Sequence, residues 1–205
     1  MEGKYNGKIF INSANDLLMS KAGAMEKIAY GNSEKDYCCC LLIDASPFVK
    51  VKYENEEILT KLVGKYNFEN IAAAICIGKY FGLDSQSIKA AIEAYVPSNN
   101  RSQVVKTKAH TLIMDAYNAN PSSMRAAIEN FSEMKGKNKW LILGDMLELG
   151  VYEIEEHRNI LKLISDKKFN NVILVGERFA KAGEGRMQEN FIRLSDSDEL
   201  VSLLR

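Results

Sequence analysis

The sequence predicts an α/β protein made of two successive units, and three observations support this prediction. Short apolar or alternating segments fill the first third of the chain, which is typical of β-strands. Between residues 67 and 95 the apolar residues recur at helical spacing. Beyond residue 101 strand-like and helix-like segments alternate, which indicates a mainly parallel sheet with helices on both faces.

The strand-like segments of the first third are each short and either mostly apolar or alternating. The predicted strands are Lys8–Asn12, Asp36–Asp44, Pro47–Tyr53 and Glu57–Val63. Residues 13–35 are ambiguous, although a short helix over Asp16–Ala22 is compatible with them.

Two helices and a linker follow. The helical spacing runs over Asn67–Phe81, and Gly82 is placed to end that helix as a C-cap. Asp84 is suited to capping a second helix over Ser85–Tyr95, because its carboxylate accepts hydrogen bonds from free amides of the first turn. The polar run Pro97–Asn100 is the best candidate for a linker.

The second half alternates regularly between the two element types. The predicted strands are Thr111–Asp115, Lys139–Leu143, Asn171–Val175 and Phe191–Leu194. The predicted helices run from Asn120-Pro121 to Met134 and over Glu153–Ser165, Glu177–Ala182 and Ser197–Leu204. Ligands of parallel sheets bind outside the carboxyl ends of the strands, where the segments Asp115–Asn120 and Gly144–Gly150 lie.

Charge and cysteine content exclude several classes of protein. The 205-residue chain has 27 Lys and Arg and 27 Asp and Glu, so no global field attracts nucleic acid or an anionic membrane. No apolar run is long enough to span a bilayer. We therefore expect neither nucleic acid nor a membrane as a partner. Cys38, Cys39 and Cys40 are consecutive, and no cysteine spacing suggests zinc, so we expect reduced thiols in a cytoplasmic protein.

Asn67 and Asn70 form the first candidate site. They lie three residues apart at a predicted helix start and therefore share a face. An amide offers a donor and an acceptor together, which is the pattern that the edge of a purine base requires. The alternative is that Asn67 is simply the cap of the helix.

The second candidate site is the segment Asp115–Ser123. A carboxylate at the end of a strand is able to accept two hydrogen bonds from a ribose diol. The asparagines and serines that follow could hold a carboxylate at the helix start, where backbone amides favour anions. A capped turn in which Asp115 binds its own loop is the alternative.

Three further features each have a functional and a structural interpretation. Asp145 and Glu148 lie in a loop between two glycines, and they could bind Mg²⁺ or shape a packed loop. His157 is more often a packing residue than a catalyst in such a helix. Arg101 could reach a phosphate or be an ordinary surface arginine.

Two nucleotide-binding motifs are absent from the sequence. Every Gly-Lys pair is followed by Tyr, Asn or Ile, so there is no phosphate-binding loop of the form G-x-x-x-x-G-K-[ST]. The pair Gly183 and Gly185 is too short and too badly placed for a dinucleotide fingerprint.

Four stretches nevertheless resemble the Mur ligase family in the family's order: GKIFIN (7–12), GKYNFENIAAA (64–74), DAYNANPSSMRAA (115–127) and LGDMLELG (143–150). The resemblance implies ATP-dependent addition of D-alanyl-D-alanine to UDP-N-acetylmuramoyl-tripeptide in peptidoglycan synthesis, through an acyl phosphate. It also implies ATP and Mg²⁺ as cofactors and a cytoplasmic protein that is monomeric when complete.

The resemblance assigns ligands to particular positions. Asn67 and Asn70 match residues beside the adenine, Arg101 matches an arginine that reaches the ATP phosphates, and Asp115 matches the ribose-binding aspartate. The incoming dipeptide is expected at Tyr117, Asn118, Asn120 and Ser123. No catalytic residue and no metal ligand is assigned. The chain departs from the family at Tyr66, where histidine is common, and at Asn100, where glycine is common.

By the same resemblance, residues 1–97 are the later part of a central ATP-binding domain. Residues 98–205 are expected to be most of a Rossmann-like C-terminal domain. The phosphate-binding loop and the Mg²⁺ ligands are then expected upstream of Met1, so the chain is expected to be a partial enzyme, inactive alone. The alternatives are another Mur-type or folylpolyglutamate ligase, a non-catalytic nucleotide-binding module and a purely structural module.

Overall fold

A computed structural model describes residues 7–98, 100–184 and 191–204. The chain forms two compact units, Met1–Met114 and Asp115–Arg205. The boundary predicted after residue 97 separates two ligase domains by resemblance, whereas the two units are separated by their internal contacts. The predicted domain boundary therefore stays a prediction. Asn99 of the predicted linker and Gly185 lie outside the described residues.

The first unit has a mixed sheet in the order β1-β2-β3-β4-β5 among its described residues. The strands are β1 (Lys8–Asn12), β2 (Glu26–Gly31), β3 (Cys38–Asp44), β4 (Phe48–Tyr53) and β5 (Glu56–Val63). The pairs β1-β2 and β2-β3 are parallel, whereas β3-β4 and β4-β5 are antiparallel. The helices are α1 (Asp16–Lys21), α2 (Asn67–Tyr80) and α3 (Ser85–Ala94).

The core of the first unit lies between this sheet and helix α2. Ile58, Ile75 and Cys76 are fully buried there, and Ile88 of α3 joins the same cluster. Cys38 and Cys40 are buried in it while Cys39 between them is only half-buried, as expected from the strand period of two. All four cysteines are free thiols, and burial of the Cys76 thiol raises its pKa to about 12.

Two strands differ from the sequence predictions. Strand β2 lies inside the stretch that the pattern left ambiguous, and β6 (Gln103–Lys106) was not predicted. The predicted strand β7 (Thr111–Met114) is present, but it pairs antiparallel with β6. The expectation that β7 joins the parallel sheet is therefore wrong. A hairpin turn over residues 107–110 places β7 beside β6, and its strand hydrogen bonds are made there.

The second unit is a parallel sheet with helices packed on it. Its strands are β8 (Trp140–Gly144), β9 (Asn171–Val175) and β10 (Ile192–Leu194), with β9 between the other two. Its helices are α4 (Pro121–Glu133), α5 (Glu153–Asp166), α6 (Glu177–Ala182) and α7 (Ser197–Leu203). Ile128, Ile160, Ile164 and Phe179 fill its core. No helix in the described ranges has the length and apolarity to cross a membrane.

Candidate functional site

The start of α2 is organised by the buried side chain of Asn67. Its amide nitrogen donates to the Val63 carbonyl at 2.7 Å and to the Ser102 hydroxyl at 3.0 Å. The residue in the cap position is Tyr66, which makes no side-chain capping bond. The interpretation of Asn67 as a helix cap is therefore wrong: its side chain binds the end of β5 and a serine 35 residues further along the chain.

Asn70 lies on the same face, as its spacing predicts. Its amide nitrogen donates to the Asn67 amide oxygen at 3.1 Å, and the residue is exposed. Asn70 also lines a mostly apolar cavity of about 380 Å³, with Ile71, Ala74 and Tyr95 among its walls. Asn67 thus fixes one orientation of the Asn70 amide, and an exposed amide beside apolar walls is suited to a flat heteroaromatic base.

Arg101 lies between two residues with left-handed backbone. Asn100 has φ 56° and Ser102 has φ 51°, and the tolerance of asparagine for this conformation explains how Asn100 occupies a position where glycine is common in the family. Arg101 is exposed, whereas Ser102 is only 3% exposed. The tight turn therefore leaves Arg101 exposed while its neighbour Ser102 is buried.

The predicted dipeptide residues form a local structure at the start of α4. Asn120 caps the helix, with its side-chain oxygen accepting from the Ser123 amide at 2.9 Å. The Asn120 amide in turn donates to the Ser123 hydroxyl, which completes a capping box. The predicted cap is confirmed. Tyr117 and Asn118 precede it and are exposed, and Asp115 is exposed at the end of β7.

The loop that follows β8 is anchored by Asp145. The two carboxylate oxygens accept from the backbone amides of Arg178 and Phe179, at 2.9 and 3.0 Å, at the start of α6. Gly176 has φ 117°, and a Cβ there would collide with the Asp145 carboxylate. Both oxygens are engaged, and the described residues contain no cluster of three or more His, Cys, Asp or Glu suited to a metal ion. The packed-loop interpretation is the one the structure supports.

His157 is a packing residue. It is fully buried, and its ring lies edge-on to Phe179 with 4.6 Å between centroids. Nε2 accepts from the Met146 amide at 3.1 Å while Nδ1 lies 2.7 Å from the Glu153 carbonyl oxygen. These contacts give the neutral ring with its proton on Nδ1. The hydrogen bond from Arg178 to Glu153, which the sequence did not reveal, raises the arginine pKa.

An exposed amide on α2, an exposed arginine and a unit with a parallel sheet are the features that comparison with known proteins places in one class. The sequence profile of the domain described as "Mur ligase, glutamate ligase domain" matches residues 100–204. The chain belongs to the Mur ligase family.

Two relatives share the same name within that family. The chain is 36% identical over 129 residues to the UDP-N-acetylmuramoyl-tripeptide–D-alanyl-D-alanine ligase of Bacillus subtilis, covering 62% of this chain and 28% of the relative. It is 34% identical over 133 residues to the ligase of that name from Treponema pallidum, covering 65% and 29%. The aligned region is thus less than a third of each relative.

Solved structures share the fold over nearly the whole chain. MurF from Acinetobacter baumannii superimposes with a TM-score of 0.80 at 22% identity, covering 97% of this chain and 45% of that one. The MurF ligase of Thermotoga maritima in complex with ADP gives 0.74 at 19% identity, covering 97% and 47%. At these identities the likeness shows the fold.

Proposed function

We propose that this chain is part of an ATP-dependent carboxylate–amine ligase that adds D-alanyl-D-alanine to UDP-N-acetylmuramoyl-tripeptide in peptidoglycan biosynthesis. The observation that carries the proposal is the 36% identity to a ligase of that name. The presented amide of Asn70 and the presented guanidinium of Arg101 support it.

The binding roles follow from the chemistry of each side chain. Asn70, oriented by Asn67, binds the edge of adenine, and Asp115 accepts hydrogen bonds from the ribose hydroxyls. Arg101 pairs with the phosphates, which its five donors suit. The dipeptide is bound at the start of α4, by Tyr117, Asn118, Asn120 and Ser123. Because Asn120 and Ser123 already form the capping box, their part is to hold the shape of the turn at which the dipeptide binds.

The reaction consists of two substitutions. A carboxylate oxygen of the tripeptide attacks the γ-phosphorus of ATP, which forms an acyl phosphate and releases ADP. The dipeptide amine then attacks the acyl carbon, the C–O bond to phosphate breaks, and the amine loses a proton. The residues of this chain bind and orient the nucleotide and the amine, so their contribution is positioning and charge neutralisation.

The remaining parts of the proposal concern the metal and the setting. Backbone amides of α6 engage both oxygens of the Asp145 carboxylate, which was a candidate Mg²⁺ ligand, so no step here is routed through the metal. We propose that Mg²⁺ is held by another part of the enzyme. A cytoplasmic monomer is proposed as well, and the four free cysteines are compatible with a reducing compartment.

Ligand binding by the purified chain tests the proposal. We expect ADP to shift the backbone NMR signals of Asn70, Arg101 and Asp115, and D-alanyl-D-alanine to shift those of residues 117–123. L-alanyl-L-alanine is the matched control and should have no effect. Nucleotide binding without a dipeptide response would favour another Mur-type or folylpolyglutamate ligase or a non-catalytic nucleotide-binding module. No response to either ligand would favour a structural module.

A second test concerns turnover. The chain supplies Arg101 but no G-x-x-x-x-G-K-[ST] loop to surround the γ-phosphate, and an arginine accelerates transfer only where the rest of that site exists. We therefore expect no phosphate release from ATP, Mg²⁺, dipeptide and precursor with the 205-residue chain alone. Steady turnover that Arg101→Ala abolishes would show that the partial-enzyme interpretation is wrong.

A further inference from the structure

Ser102 joins two parts of the first unit through one buried hydroxyl group. Its Oγ accepts from the Asn67 amide nitrogen at 3.0 Å and lies 2.9 Å from the Tyr66 hydroxyl. The partners are 35 and 36 residues away along the chain. Both belong to the start of α2, so the hydroxyl ties the segment around Arg101 to that helix.

The backbone at this point is unusual as well. Asn100 and Ser102 both have positive φ, at 56° and 51°, a region that asparagine tolerates but that serine adopts less readily. The two hydrogen-bonding contacts of the Ser102 hydroxyl hold the backbone in this conformation. Because Arg101 lies between the two residues, the same contacts determine where its side chain leaves the backbone.

The connection extends from Ser102 to the other expected nucleotide contact. Asn67 donates to Ser102 and accepts from Asn70 at 3.1 Å. A chain of hydrogen bonds therefore runs from the residue next to Arg101, through buried Asn67, to the exposed amide of Asn70. All of these residues lie within the first unit, so the connection is independent of how the two units are arranged.

We propose that Ser102 is a positioning residue for nucleotide binding, with Tyr66 as its partner. Its hydroxyl holds the left-handed turn that presents Arg101 to the phosphates and, through Asn67, holds the orientation of the Asn70 amide toward the base. The inference rests on the proposed function. It also gives Tyr66 a role, because its phenol reaches the Ser102 hydroxyl.

The test uses the 205-residue chain with ADP as the probe. Ser102→Gly removes the hydroxyl while glycine accepts positive φ without strain, so the turn is still allowed. Tyr66→Phe removes the other hydroxyl. The matched control is Tyr80→Phe, a phenol at the opposite end of α2. The measurements are the ADP dissociation constant and the rate of trypsin cleavage after Arg101.

We expect Tyr66→Phe to weaken ADP binding about fivefold to tenfold, the usual effect of losing one hydrogen bond. Ser102→Gly loses the contacts to both Asn67 and Tyr66 and should weaken binding at least as much. Cleavage after Arg101 should become faster in both. The double variant should bind ADP no more weakly than Ser102→Gly alone, because the contact that Tyr66→Phe removes is already lost in Ser102→Gly. Tyr80→Phe should change neither measurement by more than about twofold, which is well below one hydrogen bond.

Three results would overturn the inference. One is an unchanged ADP constant in Ser102→Gly, even with faster cleavage, since Ser102 would then hold the turn without positioning a ligand. Another is full additivity of the two substitutions. The third is a wild-type chain that binds no ADP, which refutes the proposed nucleotide site itself. It is distinguishable from the others because it appears before any substitution is made.

Discussion

Two asparagines lie at the starts of two helices, Asn67 at α2 and Asn120 at α4, and their side chains bind different kinds of partner. Asn67 is 7% exposed and donates to Ser102, 35 residues along the chain. Asn120 is exposed, and its side chain bonds only to Ser122 and Ser123 among the described residues. An asparagine at a helix start can therefore either connect distant segments of the fold, as Asn67 does, or stabilise its own turn, as Asn120 does.

The largest effect that separates the two asparagines is expected from replacing each by aspartate. Asn67→Asp loses the donor to the Val63 carbonyl and buries a carboxylate against it, so we expect a loss of about 3 kcal/mol from the first unit. Asn120→Asp keeps the cap acceptor and should change stability by only a few tenths of a kcal/mol. Hydrogen exchange of each unit measures both effects. Equal losses would contradict the comparison.

A smaller effect is expected on ligand binding rather than folding. Asp115→Asn keeps the shape of the side chain but removes its charge and one strong acceptor. Charge-assisted hydrogen bonds contribute about 1.5–3 kcal/mol, so the Michaelis constant for ATP in the complete enzyme should rise roughly tenfold to a hundredfold. Asp166→Asn, the same change at an exposed aspartate at the end of α5, is the matched control. An unchanged constant would make Asp115 a residue of the turn only.

Loss of the local cap should have a modest effect on folding. Asn120→Ala removes the acceptor for the Ser123 amide, and caps of this kind are typically worth about 1 kcal/mol. Asn120→Ser retains an acceptor and should recover most of the loss. Urea unfolding followed by the fluorescence of Trp140, which lies in the second unit, measures it. A loss as large as that for Asn67→Asp would remove the distinction between a local and a tertiary asparagine.

The smallest effect concerns a charged cap. Hydrogen bonds from the Ser87 amide and hydroxyl lower the pKa of Asp84 at the start of α3. A depressed pKa means that the stabilisation is present above the ordinary aspartate pKa of about 4 and is lost as pH falls through the folded pKa. Asp84→Asn should remove this part of the acid sensitivity. Identical pH profiles for the two proteins would show that the cap contributes nothing.

Local patterns in the sequence were sufficient for much of the fold. The spacing over α2, the cap at Asp84 and the Asn120-Pro121 helix start each agree with the structure. Strand β6 was missed because only Val104 and Val105 of its four residues are apolar. The pairing of β7 depends on a partner that only the folded hairpin supplies. The same limit applies to Asp145, whose contacts at α6 are 33 and 34 residues away.

The sequence by itself determined the α/β class, the local caps and the resemblance to the Mur ligase family, because these depend on short-range period, turn chemistry and motif order. Only the tertiary structure decided that Asn67 is buried rather than a cap, that the Asp145 carboxylate is engaged by α6 and that Ser102 joins Tyr66 to Asn67. The physical reason is that a polar side chain has several possible partners of similar strength. Which partner it takes depends on which distant segment is packed beside it.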